Sequence, residues 1–342
     1  MQSLIQRYMT QYCKDTGVLS ILTVFLNKRF QKTSFLKPFL AKLSYDIVGG
    51  KNLSHILPVA VVAELINTSS YQANSALDGK YGVLTRSDKD NQLIASIITR
   101  EIADKVIEET QFDNELKNSL RSLYSEANSF MYYGQFYELN VLHYKHLDVD
   151  KLLLDEYLNL YLTKCDCISG IFSRNVALSG AILATHDQPI LNALGNYARN
   201  FGIGLNIIND ISDYLPLNNY DALPSYKTSV DQYSDMRNGR IFLPVFYALK
   251  FGNYEERNKI LQVVRNQNTN FTLDMSNELT NILQATKGMQ FAFSLAKKYM
   301  KEAKKHLHLL PKTIERDFLS IMASSIRTNK FIYNLRRLKA SR

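Results

Sequence analysis

The spacing of apolar residues constrains this chain more than any other feature. Along most of its 342 residues they recur at intervals of three and four rather than two, the period of helices that bury one face. Only 14 glycines and 7 prolines interrupt the pattern. No Asn-Gly or Asp-Gly hairpin separates alternating runs. The pattern predicts an all-α fold of roughly ten to twelve helices. They run from about Phe35 to a glycine cap at Gly49-Gly50, then from Ile56 to Asp78, Asn91 to Glu109, Asn114 to Lys145, Asp150 to Thr185 and Pro189 to Tyr214. Shorter ones follow at Leu243 to Lys250 and Tyr254 to Asn266, with longer ones at Asp274 to Leu309 and Thr313 to Leu338.

The polar segment from Pro216 to Asn238 breaks the pattern. A long polar loop in a compact domain is often a functional lid. No repeat, low-complexity tract or boundary divides the chain. It reads as one domain over residues 1–342, with N-terminal helices in 1–33 and a basic tail at 332–342.

Composition narrows the partners. Hydrophobic residues make up 46% of the chain, enough for a large core, and 41 basic against 32 acidic residues leave a charge of +9. That charge favours an anionic partner. Three cysteines without a ladder of pairs suggest a reducing compartment. Cys165 and Cys167 are too close for a zinc pattern. The apolar run Val18 to Leu26 is too short to cross a bilayer. The expectation is a cytoplasmic protein with no transmembrane segment.

Two stretches concentrate oxygen ligands. In "SSYQANSALDG", Asn74 and Asp78 are four apart; in "GLNIINDISDY", Asn209 and Asp213 are four apart with Asp210 between them. Each pair projects from one helix face. If the two helices face each other, carboxylate and amide oxygens form a sparse cage of the kind that suits Mg2+ with water and phosphate. Solvated helix ends would give the same spacing. Cations accompany them. Lys164 lies inside the apolar helix "YLTKCDCISGIF", where a lysine must snorkel or meet an anion. "DMRNGRIFLP" carries Arg237 and Arg240, with Asp235 at its approach. Oxygens for a metal, with lysine and arginine for phosphate, are the set a magnesium diphosphate needs.

At these residues the chain resembles the trans-isoprenyl diphosphate synthase (polyprenyl synthetase) family, over about Phe35 to Phe331. The resemblance rests on an ordered series. "FLKPFLAKLSYDIVGG" is similar to the family's Arg-Pro helix, and "LPVAVVAELINTSSYQANSALD" to its Glu-Leu-Ile-His helix with the first Asp-rich motif. "YYGQFYELN" resembles the Gly-Gln segment, "YLTKCDCISGIF" the helix of a substrate lysine, and "YARNFGIGLNIINDISDY" the second Asp-rich helix. "DMRNGRIFLP" resembles the segment ending Gly-Lys-x-Thr-Leu-Pro, with Arg240 in the place of the lysine, and "EAKKHLHLLPKTIERDFLSIMASSI" the closing helices. The resemblance implies the isoprenoid synthase fold, a single bundle around a deep central cavity, an allylic prenyl diphosphate substrate and a homodimer. It implies metal ligands at Asn74, Asp78, Asn209, Asp210 and Asp213, and diphosphate contacts from Lys164, Lys227, Arg237 and Arg240. Asp78, Asp210, Asp213 and Lys164 become the expected catalytic set. Asn67, Ser70, Tyr71, Phe130, Tyr133, Gln135, Phe136 and Asn206 become expected cavity residues.

The departures from the family pattern bear on function. Asp-Asp-x-x-Asp becomes Asn74-Ser75-Ala76-Leu77-Asp78 in the first motif and Asn209-Asp210-Ile211-Ser212-Asp213 in the second. The paired arginines after the first motif are missing. Ser34, Lys37 and Asn67 stand where the pocket for a second, homoallylic diphosphate would have lysine, arginine and histidine. An enzyme that holds one diphosphate needs only the surviving half. The pattern therefore favours a terpene-synthase-like enzyme: metal-assisted ionisation, then cyclisation or water capture of the carbocation. Small Ser69 and Ser70 suggest a deep pocket for farnesyl diphosphate or longer. The competing reading is a non-catalytic partner subunit of a heteromeric prenyl diphosphate synthase. A chain-elongating prenyltransferase ranks below both. A nucleic-acid binder, suggested only by the tail "NLRRLKASR", is not favoured.

Overall fold

The computed structural model describes residues 1–30, 35–78, 86–214, 232–265 and 271–325. Among them α-helix dominates, and no strand forms beyond an isolated antiparallel bridge between His143 and Arg240. Two N-terminal helices, α1 (Gln2–Tyr12) and α2 (Thr16–Phe30), precede α3 (Leu36–Ile47), which Gly49 ends at φ 92°, as the glycine pair predicted. Then come α4 (Leu53–Asp78), α5 (Arg86–Glu108), α6 (Asn114–Phe136), α7 (Leu154–Cys165), α8 (Ile171–Ala181) and α9 (Gln188–Ser212). The chain continues with α10 (Ser234–Arg237), α11 (Leu243–Phe251), α12 (Tyr254–Arg265), α13 (Leu273–Ala285), α14 (Gly288–His306) and α15 (Ile314–Ser325).

Side chains set several boundaries. The Asp113 carboxylate accepts from the Leu116 amide at 2.8 Å and starts α6; Asp187 accepts from Ile190 at 3.2 Å and starts α9. Such caps satisfy amides that have no partner within the helix.

Helical period alone misses three breaks. The predicted helix Asn114–Lys145 ends at Phe136, and a π turn over Tyr137–Val141 follows. The predicted helix Asp150–Thr185 contains a second π turn, Asp166–Gly170, between α7 and α8. The predicted helix Asp274–Leu309 divides at Lys287, whose φ of 65° cannot continue a right-handed helix. The predicted loop Pro216–Asn238 includes α10; residues 216–231 of it lie outside the described set, as does the basic tail.

Two hydrophobic cores share α9. Leu191, Leu194, Ala198 and Phe201 pack into the first, with α1–α6, α8 and the ends of α14 and α15. Ile203, Ile207 and Ile211 pack into the second, with α7 and α10–α14. α4 is long and apolar enough to cross a membrane, but 61% of its apolar window is buried within the fold, as a core helix would be.

Candidate active site

The C-terminal ends of α7 and α9, the first π turn and the end of α4 contribute to one buried polar cluster, α4 through Arg240. Packing against the second π turn brings the elements together. A Cβ on Gly134 of α6 would fall 2.3 Å from Ile168 Cγ1, and one on Gly202 of α9 would fall 2.2 Å from the Ser169 carbonyl oxygen. Both helices close on residues 166–170 because neither carries a side chain there. Glu138, in the first π turn, and Asp210, two turns beyond Gly202, thereby converge on Lys164. π turns of this kind recur at functional sites.

Lys164 is fully buried. Its ammonium lies 2.8 and 3.0 Å from the two Asp210 carboxylate oxygens, 3.0 Å from Asn206 Oδ1 and 3.2 Å from Glu138 Oε1. It also lies 4.0 Å from the Phe242 ring centroid. Burial opposes its charge, but Asp210 and Glu138 outweigh burial and hold its pKa above the ordinary lysine range. The Tyr161 hydroxyl donates to Asp210 Oδ2 at 2.7 Å. Burial pushes the Asp210 carboxyl upward, and the Lys164 ammonium opposes that shift.

Arg240 forms the second node and is 1% exposed. Its guanidinium bonds Asp78, bonds Asp235 Oδ1 at 2.9 Å and lies 3.9 Å from Glu138 Oε2. The bridge to His143 and the Ile241 amide bond to the Leu142 carbonyl at 2.7 Å hold its backbone beside the first π turn. Asp213, 1% exposed, accepts from the Asp235 amide at 3.1 Å and from Ser234 Oγ at 3.4 Å. The ends of α4, α9 and α10 are thus tied through Arg240 and Asp235.

Among the described residues, the buried carboxylates of Asp78, Glu138, Asp210 and Asp235 pair with two buried cations, Lys164 and Arg240, and buried Asp213 adjoins Asp235. Buried charge is costly unless compensated. Burial accordingly raises the Glu138 pKa, against the pull of Lys164 and Arg240. Asn74 Oδ1, one turn before Asp78, is buried without a hydrogen-bond partner. The donors are all oxygens, which fits a hard divalent ion such as Mg2+. No group of three or more His, Cys, Asp or Glu among the described residues is arranged to hold a metal as it stands. The donor type fits; Asp78 could join such a site only if Arg240 released it.

The other expected residues divide. Gln135 is half-buried and donates to Glu138 Oε2 at 3.5 Å. Half-buried Arg237 stands 5.4 Å from the Phe271 ring centroid. Ser70 Oγ bonds the Ile66 carbonyl at 3.1 Å and touches Met131 Sδ at 3.1 Å. Asn209 is exposed, outside the buried cluster that holds Asp210 and Asp213. Tyr133 and Phe136 are 57% and 59% exposed, so they do not line a cavity in this chain. Phe130, Tyr133 and Phe136 repeat at three along α6; Phe130 is half-buried against Tyr133. Lys227 lies outside the described residues.

The expected second pocket also differs from its sequence reading. It keeps two cations. Lys37, 8% exposed, donates to Ser173 Oγ at 2.6 Å. Arg29 from α2 lies 3.5 Å from Glu64 Oε1, with its guanidinium 4.7 Å from the Tyr71 ring centroid. Asn67 donates to Glu64 Oε2 at 3.4 Å. Ser34 lies outside the described residues.

Three participants escaped the sequence reading as site residues: Glu138, Tyr161 and Asp235. Glu138 follows Gln135 by three positions and Asp235 opens "DMRNGRIFLP". Their only signal was an acid inside a motif-bearing segment.

With this geometry in hand, comparison with known proteins places the chain in a family. Residues 91–282, more than half of it, match the model of the polyprenyl synthetase family. The chain belongs to that family. A prenyl transferase of Cyanophora paradoxa is 25% identical over 51% of this chain and 49% of its own. Heptaprenyl diphosphate synthase component 2 of Bacillus subtilis is 24% identical over 53% and 49%. The chain thus spans about half the length of these curated relatives. The fold match is wider: a polyprenyl synthase from Caulobacter crescentus, complexed with calcium and isoprenyl diphosphate, superposes with a TM-score of 0.78 at 18% identity, over 95% of this chain and 93% of that one. A decaprenyl diphosphate synthase from Rhodobacter capsulatus gives 0.76 at 16% identity, over 96% and 94%. The isoprenoid synthase fold is established.

Proposed function

We propose that this chain ionises one allylic prenyl diphosphate with Mg2+ and then cyclises the carbocation or quenches it with water, as a terpene-synthase-like enzyme. One observation carries the reading: two buried cations, Lys164 and Arg240, sit among five buried carboxylates where α4 and α9 end. A purely structural core would gain little by burying so many charged groups.

Magnesium would be held by Asn74, Asp78, Asp210 and Asp213, and would supply a Lewis acid for the departing diphosphate. Breaking the allylic C–O bond leaves the electron pair on the diphosphate. Lys164 and Arg240 stabilise that growing negative charge from fixed positions, which costs little reorganisation during reaction. For Arg240 to serve, its guanidinium turns from Asp78 toward the phosphate, which frees the carboxylate. Tyr161 and Asn206 keep the Lys164 head oriented. Arg29 and Asn67 both engage Glu64, which disfavours a second diphosphate there.

The test is turnover. Purified protein with Mg2+ and farnesyl or geranylgeranyl diphosphate should release pyrophosphate together with a hydrocarbon or an alcohol. No turnover with any prenyl diphosphate from geranyl to geranylfarnesyl would overturn the proposal.

A second reading is a partner subunit of a heteromeric prenyl diphosphate synthase. Asn74 and Asn209 in acid positions support it, as does a relative named as one component of a heptaprenyl synthase. Exposed Ile94 and Ile97 on α5, with Tyr132, Tyr133 and Phe136 on α6, offer apolar surface for a second copy or such a partner. Pull-down of a complete synthase from the native host, with no turnover by the chain alone, would favour it. The working picture is a single-domain cytoplasmic homodimer.

A further inference from the structure

The outer face of α15 is apolar where a helix facing water is ordinarily polar. Ile314, Phe318 and Ile321 follow at four and three, so they share one face. They are 65%, 42% and 54% exposed. Leu319, Met322 and Ala323 already pack the inner side of α15 into the first core. The outer stripe is therefore a second apolar side that the fold itself does not use. Phe39 of α3 extends it: this half-exposed ring meets Phe318 edge-on, with centroids 6.3 Å apart.

Basic residues adjoin the stripe. On α14, Lys297, Lys301 and Lys304 are exposed and also follow at four and three, on one face. The Lys304 ammonium donates to Ser324 Oγ at 3.2 Å, and Ser324 lies three residues beyond Ile321, a neighbour on the helix surface. That bond sets the basic face of α14 beside the apolar stripe of α15. Acids are fewer. Glu302 pairs with Lys305 at 2.6 Å, Lys51 and Lys42 attract Glu315, and Lys42 also pairs with Asp46. Asp317 is the exposed acid of α15, and no acid follows it in the sequence; Arg327, Lys330, Arg336, Arg337, Lys339 and Arg342 do.

This surface is separate from the candidate active site. The Tyr197 hydroxyl of α9 donates to the Leu319 carbonyl of α15 at 2.6 Å. Asp210 lies further along α9 toward its C-terminal end, about 20 Å from Tyr197 at the helical rise. Two demands identify the partner: negative charge for the lysines, and an apolar phase for side chains that stand out singly from a helix. Nucleic acid meets the first alone. An anionic bilayer meets both, and peripheral binding commonly takes two such signals together.

We infer that α14 and α15 form a peripheral docking surface for a bilayer containing anionic phospholipid. Ile314, Phe318, Ile321 and Phe39 enter the boundary between headgroups and acyl chains, while Lys297, Lys301 and Lys304 lie against lipid phosphates. Each lysine held near such a surface is worth about a fivefold gain in partitioning. Salt screens that gain.

Sedimentation of the full chain with vesicles tests this. Vesicles of equal parts phosphatidylcholine and phosphatidylglycerol should bind it, vesicles of phosphatidylcholine alone should not, and about 1 M salt should release most of the bound protein. Phe318→Ser with Ile321→Ser should lower partitioning about tenfold. Lys301→Glu with Lys304→Glu should lower it at least about tenfold, while Lys301→Arg with Lys304→Arg, which keeps the charge, should bind as the unaltered chain does. All four positions are exposed, so circular dichroism should stay helical in every variant. No binding to the anionic vesicles overturns the inference. Binding that ignores the serine pair, or equal binding to a DNA duplex, marks a general polyanion site and also overturns it. An oligomer seen by light scattering that the serine pair breaks apart would assign the face to a second copy of the chain and overturn it too.

Discussion

Lys164 on α7 and Asp210 on α9 form a wholly enclosed ion pair, with the ammonium 2.8 Å from Oδ2 and 3.0 Å from Oδ1. Removing one partner strands the other in a low-dielectric core. Lys164→Met should cost about 3–5 kcal/mol, read from urea unfolding. Asp210 would then lie near Glu138 with no ammonium between them. Lys164→Met combined with Asp210→Leu should recover most of the loss. A double variant as unstable as the sum of the singles would contradict this.

Arg240 spans Asp78 and Asp235 with two separate nitrogens. A lysine has one point of charge and cannot bridge both. Arg240→Lys should release Asp78 and strengthen binding of Mg2+ alone, measured without the pyrophosphate that Arg240 contacts in the proposed reaction. Isothermal titration should show a lower dissociation constant than in the unaltered chain. Equal or weaker binding would mean that Arg240 does not compete with the metal.

Asp213 accepts from the Asp235 amide and the Ser234 hydroxyl at the end of α9. If it also ligates magnesium, Asp213→Ala should abolish pyrophosphate release while circular dichroism stays helical. Unaffected turnover would place the metal elsewhere.

Burial drives the Lys37 pKa down from 10.5 to about 8, with Glu64 opposing the shift. Below pH 8 the folded chain carries a buried charge, and that penalty is fully present. Between pH 8 and 10.5 the unfolded chain binds the proton more tightly, so stability rises with pH; the penalty is gone above 10.5. Lys37→Met should remove a gain on the order of 3 kcal/mol across that window. Unfolding profiles of the two proteins with equal pH dependence would refute this.

Much of this site could be read from residue order. Asp78, Asp210, Asp213, Lys164 and Arg240 stand in family motifs, and all are buried in one cluster. Motif position did not separate exposed Asn209 from buried Asp210, because adjacent helical residues differ by most of a third of a turn. The α6 aromatics misled because a stripe at intervals of three has the same spacing inside or outside a bundle. Glu138 and Asp235 were silent because a single acid carries no periodicity. The breaks at 137–141, 166–170 and Lys287 were hidden because apolar spacing runs through them.

The two π turns change what kind of mutation this chain can absorb. Each turn holds one residue more than an α-helical turn. Loss of a single codon from either would let the helix regularise and swing the flanking segments by about 100° relative to each other. Glu138 and Lys164 would then leave each other, although neither had been replaced. The meeting of these residues is guarded by segment length more than by the identity of Cys167, Ile168 or Leu139. Lineages that descend from this chain should keep the number of residues in each of these turns.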